Sequence, residues 1–149
     1  MTTDRNTKTT NTTNTTNAPR KPPQEGTALS APFWEAAREG RLVIQRCAEC
    51  GQLRHYPRLL CSRCFSDRHD WAEASGEGTV HSWTVAHHAF HPAFANELPY
   101  TLVTVDLKEG VRALGRWREG ATPSLGQAVR GGFIQREDGV DLVFEAANG

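Results

Sequence analysis

The chain has 149 residues, a formal net charge of zero and 38% hydrophobic residues, below the roughly 45–50% of ordinary globular domains, which suits one domain or two small ones. From Ser75 onward six basic residues stand against nine acidic ones, the wrong sign for a phosphate-backbone binder. There is no run of 18 apolar residues to span a membrane and no basic start followed by an apolar stretch, so a cytoplasmic location is expected.

Residues 1–30 contain no Ile, Val, Phe, Trp or Tyr. Such a segment buries too little apolar surface to offset its ordering entropy, and a disordered Thr/Asn-rich tail is predicted. Asn11 and Asn14 match the Asn-x-Thr acceptor pattern, an accident of Thr/Asn repetition in a chain read as cytoplasmic.

"SAPFWEAAREGRL" predicts a short helix over residues 31–40, with Ser30 as cap, Pro32 in the first turn and Gly40 at the end. Phe33, Trp34 and Ala37 form one apolar stripe. The stripe either packs on its own domain or docks another chain.

"RCAECGQLRHYPRLLCSRC" holds every cysteine of the chain: Cys47, Cys50, Cys61 and Cys64. Two Cys-x-x-Cys turns converge four thiolates on one ion, and this closed set implies a structural metal, Zn2+, with iron possible in the same site. A thioredoxin-like redox pair would leave the second pair idle, and lasting disulfides do not suit the cytoplasm. The segment over residues 41–74 is below the roughly 40 residues at which a core usually suffices alone, so a metal worth on the order of 10 kcal/mol would stabilise it.

Residues 75–149 change to a strand pattern: "GTVHSWTVAHHAF", "PYTLVTVDL", "VRALGRWR", "GQAVRGGFIQRE" and "VDLVFEA". Thr101, Val103, Val105 and Leu107 share one face, and Asp138-Gly139 is a strong hairpin signal. Five strands in about 75 residues suggest a small closed barrel. Between the first two strands lie His87, His88, Phe90, His91, Phe94 and Tyr100. His87, His88 and His91 could hold a second, catalytic zinc, or the segment could be a loop held by packing of Phe90, Phe94 and Tyr100. Arg112, Arg116 and Arg118 alternate along one strand, either as cations for an anionic ligand or as a solvated face.

"FWEAAREGRLVIQRCAECG", "HYPRLLCSRC", "SGEGTVHSWTV", "FHPAFANELPYTLVTVDLKEGVRALGRW" and "LVFEA", in order, resemble the DUF35 family of zinc-ribbon/OB-fold proteins from about Phe33 to the end. The resemblance implies a mainly β fold: a short N-terminal helix, a rubredoxin-like zinc ribbon and a five-stranded OB-fold barrel. It further implies an accessory subunit of a thiolase-like or MaoC-type hydratase complex, forming a hetero-oligomer with that acyl-CoA enzyme and helping to bind its CoA thioester. The helix residues Phe33 and Trp34 and the loop residues named above would then face the partner or the acyl-CoA. No Gly-x-Ser-x-Gly elbow or P-loop is present, and the metal claims every cysteine, so no activity is expected from the chain alone. A nucleic-acid-binding zinc-ribbon/OB protein is the alternative, disfavoured by the charge count.

Overall fold

A computed structural model describes residues 19–118 and 120–147. Most of the tail read from composition, residues 1–18, lies outside the described residues. Residues 19–30 lie against the domain. Polar contacts rather than apolar burial hold them: the Gln24 side-chain amide donates to the Val140 carbonyl at 2.6 Å and its oxygen accepts from the Val140 amide at 2.8 Å.

Helix α1 spans Ala31–Arg38 and buries Phe33, Ala36 and Ala37. Ser30 occupies the N-cap position without capping the helix; its Oγ instead accepts from the Thr27 amide at 2.9 Å. Gly40 follows at φ 79°, a left-handed conformation that glycine adopts without a Cβ penalty.

Strands β1 (Val43–Cys47), β2 (Leu53–Arg54) and β3 (His69–Glu73) form an antiparallel sheet in the order β2-β1-β3. Leu42, Val43 and Ile44 join Phe33 and the barrel valines in one continuous hydrophobic cluster, so the ribbon is packed on the rest of the molecule.

Strands β4 (Glu77–Ala86), β5 (Tyr100–Leu107), β6 (Arg112–Trp117), β7 (Ala128–Arg136) and β8 (Gly139–Ala146) close into a barrel in the order β4-β5-β6-β8-β7. The β6–β8 pair is parallel and the others antiparallel, giving the five-stranded OB-fold. As the two-residue period requires, Val103, Val105 and Leu107 point into the core. The first strand stops at Ala86 rather than running on to Phe90. Pro92 instead starts a 3-10 helix, Pro92–Glu97, within the β4–β5 loop.

Phe144, fully buried, fills the centre of the barrel. Its ring fits because its neighbours on β6 and β7 are glycines: a Cβ on Gly115 would lie 2.7 Å from the ring, and one on Gly131 2.6 Å.

Candidate functional site

Cys47 ends β1, and the turn after it carries Cys50; the second turn carries Cys61 and Cys64. The two turns repeat the same backbone bonds. The Gly51 amide donates to the Cys47 carbonyl at 3.0 Å, and the Phe65 amide to the Cys61 carbonyl at 2.9 Å. The Cys47 and Cys61 amides donate to Gln52 and Ser66 carbonyls, both at 2.9 Å. Gly51 and Phe65 occupy the same left-handed position, at φ 71° and 61°. For a non-glycine residue this costs on the order of 1 kcal/mol.

Cys47 Sγ and Cys64 Sγ are 3.6 Å apart, as are Cys50 Sγ and Cys61 Sγ, and all four sulfurs lie within 4.8 Å of one another. A tetrahedral tetrathiolate with metal–sulfur bonds of about 2.3 Å has edges of about 3.8 Å. The sulfurs therefore sit where such a metal needs them, and too far apart for disulfides. Amides of Cys64 and Arg63 pull the Cys61 thiol down to about 6. The Ser66 amide acts the same way on Cys64, but burial and the three neighbouring cysteines outweigh it and push that thiol up to about 12. Four thiolates this close repel one another, and a divalent cation at their centre relieves the repulsion. The set is closed, with no position left for substrate, so the metal it holds is structural.

Behind this centre stands a residue that sequence reasoning missed. Gln45 on β1 is fully buried, and its side-chain oxygen accepts from the Arg54 guanidinium and, at 2.9 Å, from the Arg58 amide. It thereby ties β1 to β2 and to the loop leading into the second turn. A polar residue within a buried apolar strand was the available signal.

A cavity of about 550 Å³ lies against the outer face of β5 and β6, between α1, the His55–Pro57 loop and the 3-10 helix. This strand face, with the adjoining first interstrand loop, is the one that OB barrels commonly use for ligands. Phe33, Trp34, Tyr56, Phe94, Tyr100 and Leu114 supply apolar walls. Burial lowers the His55 imidazole to about 4, so it is neutral at pH 7. At the rim the Arg116 guanidinium lies 4.5 Å from the centre of the Tyr100 ring. Glu97 pairs with Lys21, Arg116 and Arg136, which fastens residues 19–30 and the 3-10 helix to the barrel.

Burial opposes the Glu97 charge, yet hydrogen bonds from Lys21 and Arg116 hold this carboxyl down at about 2. A carboxyl depressed in the folded state contributes stability that is complete above its unfolded pKa, roughly 4.3, and is lost as pH falls through the folded value. Glu97→Gln is expected to cost about 2 kcal/mol at pH 7. In urea titrations the gap between wild type and variant should close as pH is lowered from 5 toward 2.

Of the residues singled out in the sequence, Phe33, Trp34, Phe94 and Tyr100 meet at this cavity. Phe33 is only 6% exposed and packs on Trp34, His55 and Phe133. His87, His88, Phe90 and His91 do not line it. Phe90 is 93% exposed at the loop tip, its ring centre 5.4 Å from that of His88, and His91 Nδ1 accepts from the Ala93 amide at 3.2 Å to cap the 3-10 helix. Among the described residues the four cysteines are the one group placed to hold an ion, so the histidines form no second metal site there. Arg112, Arg116 and Arg118 pair with Asp106, Glu97 and Glu145.

Residues 34–70 match the model of the ChsH2 rubredoxin-like zinc ribbon domain, and residues 71–133 that of the ChsH2 C-terminal OB-fold domain. A probable enoyl-CoA hydratase alpha subunit of Thermomonospora curvata is 54% identical over 81 residues, covering 54% of this chain and 25% of that protein. The 3-oxo-4,17-pregnadiene-20-carboxyl-CoA hydratase alpha subunit of Mycobacterium tuberculosis is 37% identical over 109 residues, covering 71% of this chain and 34% of that one. The chain thus spans between a quarter and about a third of the length of these curated relatives. Among solved structures, a chain of an Ltp2-ChsH2(DUF35) aldolase superposes with a TM-score of 0.75 at 39% identity, over 83% of this chain and 98% of that one. With ribbon, helix and barrel all carried by that likeness, the chain belongs to the DUF35 family.

Proposed function

We propose that this chain is a non-catalytic accessory subunit that assembles, in the cytoplasm, with an acyl-CoA-processing enzyme. The partner is either thiolase-like (a thiolase, aldolase or acyltransferase) or a MaoC-type hydratase. The observation that carries this reading is the match to nearly the whole length of a chain from an aldolase assembly. The names of the hydratase alpha subunits, each of which matches this chain over only part of its length, point the same way. The chemistry of the chain agrees, because the four cysteines converge on a structural metal and no thiol remains as an acyl carrier. That metal is zinc, the usual occupant of a closed tetrathiolate in a ribbon. The cavity beside Trp34 and Tyr100 receives the apolar acyl end of the thioester, while the CoA phosphates stay with the partner, since the arginines at hand are already paired.

Co-expression with thiolase-like aldolases and MaoC-type hydratases of the same organism tests the reading. Size-exclusion chromatography with light scattering should give a stable hetero-oligomer, and elemental analysis one zinc per copy of this chain. Two components that elute separately at micromolar concentration would contradict it.

A further inference from the structure

The two cysteine turns differ at the one position where their shared backbone asks most of the residue. The first turn places Gly51 in the left-handed conformation and the second places Phe65 there. A Cβ is disfavoured in that conformation, and the Phe65 ring is 75% exposed, so packing within this chain does not offset the penalty. Leu59 and Leu60, just before Cys61, are 71% and 53% exposed. The bonds from the Phe65 amide to the Cys61 carbonyl and from the Cys61 amide to the Ser66 carbonyl hold the Phe65 backbone on a closed turn. That backbone has little freedom left to lose on binding.

Charge narrows what covers them. Arg46 and Arg68, elsewhere on the ribbon, pair with Asp70 and Glu49. Arg58 and Arg63, which flank the exposed leucines and Phe65 in sequence, are exposed, and their guanidinium groups make no ion pair among the described residues. A polyanion is a poor occupant, because a metal tetrathiolate within the same turn carries a net charge of about minus two. A protein surface with an apolar hollow and a few carboxylates at its rim fits both features.

We propose that the second cysteine turn is a docking surface for the acyl-CoA enzyme. Leu59, Leu60 and Phe65 enter an apolar hollow on that enzyme, and Arg58 and Arg63 meet carboxylates beside it. The assignment rests on the accessory-subunit reading and names the face that makes the contact. Strain at Phe65 is kept because the ring is buried only in the complex.

Phe65→Gly separates folding from docking, since glycine suits the backbone better than phenylalanine does. In full-length protein, Phe65→Gly is expected to keep its metal and its melting temperature, or to melt higher, while binding the acyl-CoA enzyme that assembles with the wild type at least tenfold more weakly by calorimetry. The double variant Arg58→Gln, Arg63→Gln should slow association and weaken its salt dependence. Binding by Phe65→Gly within twofold of wild type would overturn the assignment. So would metal loss or a lower melting temperature in that variant, or a wild-type self-association that the variant abolishes. A wild-type chain that binds no acyl-CoA enzyme would instead overturn the accessory reading.

Discussion

Removal of the metal is expected to unfold the ribbon while the barrel stays folded. Strands β1–β3 supply only a small sheet, and metal binding in modules of this size is worth on the order of 10 kcal/mol, more than any single side-chain contact in the molecule. The barrel keeps its own interior, including Val103, Val105, Val129 and Phe144. Hydrogen exchange after treatment with a strong chelator should therefore show protection lost in Val43–Cys47 and His69–Glu73 but retained in Tyr100–Leu107 and Ala128–Arg136. Cys61→Ser should behave like the chelated protein. Ribbon protection that survives complete metal loss would show that the sulfur cluster is not what holds this segment together.

The second large effect lies in the barrel. Phe144→Ala is expected to destabilise by about 3–5 kcal/mol, the usual cost of emptying a site filled by a fully buried aromatic ring. Gly131→Ala acts on the same contact from the other side, by placing a methyl group 2.6 Å from the ring, and should cost about 1–3 kcal/mol. Because both changes act on one space, they should not add. With Phe144 already replaced by alanine, the Gly131→Ala cost should largely vanish, a coupling of at least about 1 kcal/mol in urea denaturation. Additive costs would mean that the glycine and the ring are not in contact.

The metal centre was legible in the sequence because ligand spacing is local: two Cys-x-x-Cys turns fix the sulfurs whatever the surroundings. The five strands were legible for a similar reason, since alternation at Val103, Val105 and Leu107 reports a buried face directly. Contacts between segments distant in sequence were not legible. Nothing near Gln24 signals that its amide will bond the backbone of Val140, 116 residues away. The requirement for glycine at positions 115 and 131 appears only once Phe144 lies between them. In the histidine loop, clustering in sequence did not say where each side chain lies in space. Pro92 starts a 3-10 helix, His91 caps it, and the aromatic residues that reach the cavity are Phe94 and Tyr100. The apolar stripe on α1 was read correctly, but periodicity alone did not reveal that Phe33 and Phe133 satisfy each other within the chain. Sequence also gave no sign that Phe65 would adopt the glycine conformation of Gly51.

In the proposed accessory role the chain lends structure to an acyl-CoA enzyme and leaves thioester chemistry to that partner. Turnover of an acyl-CoA should be followed for the purified chain, for a thiolase-like aldolase or MaoC-type hydratase of the same organism, and for the two together. None is expected from the chain alone, and more from the mixture than from the enzyme by itself. Steady acyl-CoA consumption by the isolated, metal-loaded chain would rule the accessory role out.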